Sequence, residues 1–331
     1  MGYYNERVEV SEQQHYKKNL IKESIRNNDP IESKLHVIAV ITNPCRYERR
    51  YTLMEEFQRR FRNEEDDVLL YIVEIVYGDE SFRCTDSSNP RHLQLRTGHT
   101  LWLKENMINI GVRTLLPSDW KAFAWIDCDL EFESLTWATD ALKLLNGAFD
   151  IVQLFSHCTD MNARGEAMTT FSSFGYNYTK LKQYHGSGPN YYHSGFAWAM
   201  TRKLFEKSNG LYENAILGSG DFVIASSTID RAHKCIPACS DGYTNSILEY
   251  QERMKYARLG YVPGVIRHHF HGCKKNRKYR ERNQILIEHE FDPSVHLMKD
   301  PNGLLQLIEQ KADLQKDILE YFKERKEDDD T

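Results

Sequence analysis

Asp127 and Asp129 stand one residue apart at the end of a short apolar run, Ala122-Phe123-Ala124-Trp125-Ile126. A run of this kind predicts a strand buried on both faces that hands two carboxylates to its carboxyl edge. In an open α/β sheet, ligands sit beyond the carboxyl ends of the strands. Paired acidic oxygens there suit a hard divalent cation such as Mg²⁺ or Mn²⁺. The cargo implied is a metal-bound phosphate. Taken alone, Asp-x-Asp reads better as a helix cap or a solvated turn ahead of residues 131–145.

Three further stretches shift that balance. In His193-Ser194-Gly195-Phe196-Ala197-Trp198, a turn runs into an alternating strand over residues 191–201, and Gly195 lets a ligand approach the backbone. Trp198 is placed to stack on a sugar ring, although a buried indole is the commoner use. Residues 216–221, ILGSGD, project Asp221 at the start of a helix over 222–227, where a plain N-cap is the local alternative. Residues 261–272, YVPGVIRHHFHG, read as a strand ending in three histidines. Alternation puts His269 and His271 on one face and His268 on the other. A neutral imidazole can complete a carboxylate metal site, and Lys274, Lys275, Arg277, Lys278 and Arg280 add local positive charge for phosphates. Thr42-Asn43-Pro44 stops the first strand at a loop followed by Arg46, Arg49 and Arg50, which suit either a nucleotide or solvent. Lys104 reads equally as a phosphate partner and as a surface lysine.

Alternating elements must position these groups. Strands are predicted over 35–41, 68–76 and 151–155, and helices over 47–62, 99–110 and 135–145, with Leu53, Phe57 and Phe61 on one helical face. That alternation predicts α/β architecture with a mostly parallel sheet flanked by helices. Residues 81–97 read as loop-rich, 157–189 as a long functional loop or lid, and 302–324 as an amphipathic C-terminal helix that packs on the domain or mediates a homodimer. The divisions that follow are a polar arm (1–34), a catalytic domain (35–295), and a C-terminal helix with a solvated acidic tail (296–331).

With 331 residues, 40% of them hydrophobic, the chain can bury a large core. Its net charge of -5 argues against a general nucleic-acid binder. The seven dispersed cysteines read as reduced thiols, and Cys235 and Cys239 lack the second pair that a zinc knuckle needs. Without an apolar run of membrane-spanning length or a signal peptide, the expected location is the cytoplasm.

In order and rough spacing, residues 35–293 resemble the GT-A glycosyltransferases, in particular β-1,4-galactosyltransferase-like and polypeptide GalNAc-transferase-like enzymes. Asp127-Cys128-Asp129 resembles their DxD motif. His193 to Trp198 resembles their donor and acceptor strand, and Asn209-Gly210-Leu211 with Gly218-Ser219-Gly220-Asp221 resembles the turn and acidic catalytic loop. His268 to Gly272 resembles the late metal-binding histidine. The resemblance implies a GT-A fold and a nucleotide-sugar donor, UDP favoured, with Mn²⁺ or Mg²⁺ held by Asp129 and His271, and by Asp127 and His269 as further candidates. Donor contacts would come from Thr42, Asn43, Arg46, Lys104, Asp127, Asp129, His193, Gly195, Trp198, Lys274 and Arg277. Asp221 would be the general base of an inverting transfer to a hydroxyl on a glycan or protein. The acidic loop carries one carboxylate where those families often carry two or three. No membrane anchor or stem is seen, which fits a bacterial, viral or cytosolic enzyme. The alternatives are a sugar nucleotidyltransferase, disfavoured because residues 42–46 contain no glycine, a non-catalytic sugar- or nucleotide-binding module, and, more weakly, a metallohydrolase.

Overall fold

Leu35–Thr42 (β1), LHVIAVIT, is apolar and largely β-branched, and it is buried along nearly its whole length at the middle of the sheet. The structure, a computed structural model, describes residues 12–181, 192–279 and 281–330. The remaining strands, in chain order, are β2 (Val68–Tyr77), β3 (His92–Thr97), β4 (Ala122–Ile126), β5 (Leu130–Phe132), β6 (Ile151–Gln153), β7 (His157–Met161), β8 (Ala167–Ser173), β9 (Tyr192–His193), β10 (Ala197–Thr201), β11 (Leu259–Tyr261), β12 (Val265–His268), β13 (Leu297–Lys299) and β14 (Leu305–Leu307). Seven of them make the central sheet in the order β11-β6-β10-β4-β1-β2-β3. All neighbours are parallel except β10, which runs antiparallel to both β4 and β6. A large central sheet flanked by helices is therefore present, as the alternating pattern predicts.

Strand periodicity divides the core into two layers. On β4 and β10, Phe123, Trp125, Trp198 and Met200 point to one face, and Ala122, Ala124, Ala197 and Ala199 point to the other. The helix Lys104–Leu115 covers the first face. A Cβ at Gly111 would lie 2.9 Å from Val73 Cγ2, so this helix sits close against the sheet. The helix Glu48–Glu64 covers the second face through Tyr51, Met54, Phe57 and Phe61.

Several expectations need correction. Residues 157–173, read as part of a lid, form the β7–β8 hairpin of a second sheet ordered β5-β12-β7-β8-β9. Residues 174–181 follow as a short helical segment, and 182–189 lie outside the described residues, as do residues 1–11, Tyr191 and Arg280. The loop-rich stretch contains β3, and the single strand expected over 261–271 is two short ones, β11 and β12, joined through Gly264. The arm contributes a helix, Glu12–Asn27, whose Ile21 and Ile25 close over Gly147. The C-terminal helix is shorter than expected, Ala312–Glu324, and buries Leu314, Ile318, Tyr321 and Phe322 within this chain, so the apolar face that suggested a dimer is covered.

The acidic tail is largely exposed, as expected, but it is anchored at two points. Glu327 is fully buried between Arg50, whose Nε lies 2.5 Å away, and Arg325 at 2.8 Å. Asp328 accepts the backbone N–H groups of Glu48 and Arg49. The preceding residue, Tyr47, gives that helix no side-chain cap, and a carboxylate from the tail supplies the negative charge that a helix N-terminus favours. Among the described residues no helix is long and apolar enough to cross a membrane.

Candidate functional site

The site is assembled by two strand pairings of the second sheet. β12 runs antiparallel to β5 with His268 opposite Leu130, and parallel to β7 with His268 opposite Asp160. The first pairing extends one step, where His269 N–H donates to the Asp129 carbonyl at 2.8 Å. The chain then leaves the strand and turns at Gly272, whose φ of +94° suits glycine. Because β12 stops at His268, alternation does not govern the residues beyond it. His268 and His271 converge on Asp129, and His269 turns away to Glu131 at 3.2 Å. This reverses the expected placement of His268 and His269.

One donor atom from each of Asp129, His268 and His271 lies within 4.8 Å of the others. His271 Nε2 is 3.0 Å and His268 Nε2 3.7 Å from Asp129 Oδ2, and the two Nε2 atoms face each other at 3.0 Å. The other carboxylate oxygen, Oδ1, is buried without a hydrogen-bond partner among the described residues. Burial pushes the Asp129 carboxyl up, but the two histidines outweigh it and hold the group well below the usual carboxylate range. Burial lowers His268 and the charge of Asp129 more than restores it, to about 9. His271 is pushed down to about 4 by burial and by Arg277, which lies 2.5 Å from its Nδ1. An orphaned carboxylate oxygen beside two converging imidazole nitrogens fits a divalent cation. A buried acceptor without a partner is otherwise costly, and these donor types are metal ligands.

A second charged cluster lies at the end of β4. Lys104 Nζ sits 2.6 Å from Asp127 Oδ1 and 3.1 Å from Asp221 Oδ2. Lys104 is therefore neither a surface lysine nor simply available to phosphate, because it ties the first aspartate of the pair to Asp221. Asp127 is pushed up to about 7 by desolvation, with Lys104 pulling against it and Asp221 and Asp129 adding to it. Asp221 is not the N-cap of Gly220–Ser227 but a first-turn residue. Ser219 holds the cap position at φ +76°. A Cβ at Gly195 would stand 3.0 Å from Asp221 Oδ2 and 2.8 Å from His193 Cε1, so only glycine lets these two side chains close in on the backbone there. His193 accepts the Gly195 N–H at Nδ1 and is pushed down to about 3 by burial, which keeps it neutral. Its ring stacks on Phe196 at 3.9 Å, and Phe196 stacks in turn on His268 at 4.7 Å. Packed rings thus join the Asp221 wall to the histidines.

Other predicted residues lie further out. Trp198 is fully buried, stacked with Trp125 at 6.4 Å in the core, and cannot meet a sugar ring. Thr42 is paired with Tyr77, Asn43 brackets Tyr47 from within the first loop, and Arg46 reaches out to Glu80. Lys274 pairs with Asp160, and Arg277 lies against His271.

No family model and no curated protein matches the chain. Among solved structures, a protein described as a nucleotide-diphospho-sugar transferase from Desulfovibrio desulfuricans G20 is similar at a TM-score of 0.34 and 10% identity, over 78% of this chain and 99% of its own. A likeness that slight carries no argument, and function must be read from the site.

Sequence reasoning ranked His271 and His269 ahead of His268 as donors, and it gave Glu105 and Asp160 no role. Glu105 is buried beneath the start of Gly220–Ser227, where a Cβ on Gly220 would come within 2.4 Å of its carboxylate. Burial, then the charge of Asp221, pushes it up to about 8. The folded state thus holds this proton more tightly than the unfolded chain does. The contribution to stability is full below the unfolded pKa and is lost as pH rises through about 8. Glu105→Gln should flatten that dependence. Calorimetry at about pH 5 and about pH 8.5 should show the wild type losing a few degrees of Tm more than the variant. Parallel curves would show that Glu105 is not the titrating group.

Proposed function

We propose that the chain is a divalent-metal-dependent glycosyltransferase of the GT-A type, moving a sugar from a nucleotide-diphosphate sugar, UDP favoured, to an acceptor hydroxyl on a glycan or protein with inversion. The observation that carries the reading is the convergence of His268 Nε2 and His271 Nε2 on Asp129 Oδ2, with Asp129 Oδ1 buried and without a partner among the described residues, beyond the carboxyl end of β4. Asp129, His268 and His271 would hold the cation, and two imidazoles among three donors favour Mn²⁺ over Mg²⁺. When bound, the metal supplies positive charge that offsets the charge developing on the departing diphosphate. The chain's own residues do the rest. Arg277, beside His271, is placed to meet the same phosphates. Asp221, about one-fifth exposed at its side chain, takes the proton of the acceptor hydroxyl as that oxygen attacks. Lys104 fixes the direction of Asp221 and Asp127 together, and Gly195 lets Asp221 lie close against the backbone of the β9–β10 turn.

The test is thermal unfolding against a panel of sugar nucleotides with and without Mn²⁺, followed by product analysis with the nucleotide that responds. The expected result is a Tm rise of several degrees that needs both nucleotide and metal, together with release of the nucleoside diphosphate. Tight binding with no product over long incubation would overturn the enzymatic reading and leave a binding module.

A further inference from the structure

We propose that Asp160 is the positioning residue of the metal centre, fixing the ring of His268 so that its Nε2 faces Asp129 and His271. This deepens the metal-site reading and rests on it. Asp160 lies on β7, directly opposite His268 in the β7–β12 register, and is 4% exposed. Its Oδ1 is 2.6 Å from His268 Nδ1, and its Oδ2 is taken by the Lys274 ammonium. With both oxygens engaged, Asp160 acts through the histidine and is not itself a donor to the cation.

The geometry explains why a buried acid sits on an otherwise polar hairpin. The ladder between β7 and β8 is irregular immediately after Asp160, between Asp160 and Met161. Such breaks re-aim side chains at the edge of a sheet. A carboxylate on Nδ1 holds the proton there and leaves Nε2 as the lone-pair nitrogen. It also locks the ring plane, which Phe196 supports from one side by stacking. Among the described residues, no carboxylate stands on the far nitrogen of His271. Arg277 stands there instead. The two histidines are therefore unequal, and the preorganised donor is His268.

The experiment uses the full chain, freed of metal by chelation and titrated with Mn²⁺ alone by calorimetry. Asp160→Asn keeps the shape and an acceptor oxygen but loses the charge, and Asp160→Ala loses both. The expected result is Mn²⁺ affinity weakened about 10-fold in the first and nearer 100-fold in the second. In the wild type, nitrogen-detected NMR of the metal-loaded protein, with Zn²⁺ as the diamagnetic probe, should show His268 protonated at Nδ1. The same signal should be shifted or lost in the variants. If Asp160→Ala does not fold, Asp160→Asn still decides the matter. Wild-type affinity and an unchanged His268 signal in Asp160→Asn would overturn the positioning role and leave the metal centre standing. A wild-type chain that binds no Mn²⁺, or binds it equally after Asp129→Ala, would overturn both. A fall in Tm without any change in Mn²⁺ affinity would reduce Asp160 to an ordinary structural pair and also overturn the proposal.

Discussion

Asp129→Ala should abolish the proposed metal-dependent sugar transfer, lowering the rate about 10³-fold or more, because it removes the one carboxylate of the donor set and with it the hold on the cation that would offset charge on the leaving diphosphate. The fold should survive. Asp129 is the only aspartate among the three donors, but His268 keeps its second carboxylate, Asp160, and β5 remains paired with β12 through the backbone. Circular dichroism and Tm in the presence of a chelator check that point, and initial rates across a Mn²⁺ series check the main one. Transfer at the wild-type rate with unchanged metal dependence would remove the metal centre from the mechanism.

Asp221→Asn should separate binding from turnover. Asparagine keeps the size of the side chain and a partner for Lys104, and Lys104 remains held by Asp127, so donor affinity should stay within a few-fold of wild type. The turnover number should fall about 10²- to 10⁴-fold, the range for losing a positioned general base. Steady-state kinetics with donor and acceptor varied in turn make the distinction: a falling kcat with a steady donor KM supports the base assignment. A kcat within tenfold of wild type would point to a retaining reaction, in which no such base is required.

How much of this was legible in the sequence varied with how local the signal is. β1 and β4 were readable because strands buried on both faces are continuous apolar runs, and Asp127 and Asp129 follow directly from where such a run stops. The helix Glu48–Glu64 was readable from apolar residues four apart. The β7–β8 hairpin was not, since most of β8 is exposed and polar and carries no apolar period. Asp160 vanished with it, because a buried aspartate in HCTDM looks like any loop acid until its partner on β12 is known. His268 was assigned to the wrong face for a related reason: the two-residue rule was carried past the end of the strand into a turn. Trp198 failed differently. Alternation marks two faces but cannot say which of them meets solvent, and the antiparallel insertion of β10 puts the indole against Trp125. Lys104 and Glu105 depend on Asp127 and Asp221 arriving from elsewhere in the chain, and no local pattern announces that.

The tail folded against Glu48–Glu64 bears on how the protein is made. The carboxylates that cap this helix and neutralise Arg50 belong to Asp328 and Glu327, the latter 277 residues further along the chain. Until residue 327 has been synthesised, Arg50 has the Thr42 carbonyl but not the Glu327 carboxylate, and burying its charge then would cost several kcal/mol. Closure of this side of the sheet is therefore disfavoured until residue 327 is out. In that interval the apolar face of the helix is available to chaperones, and a nascent chain stalled short of that point would be a substrate for degradation.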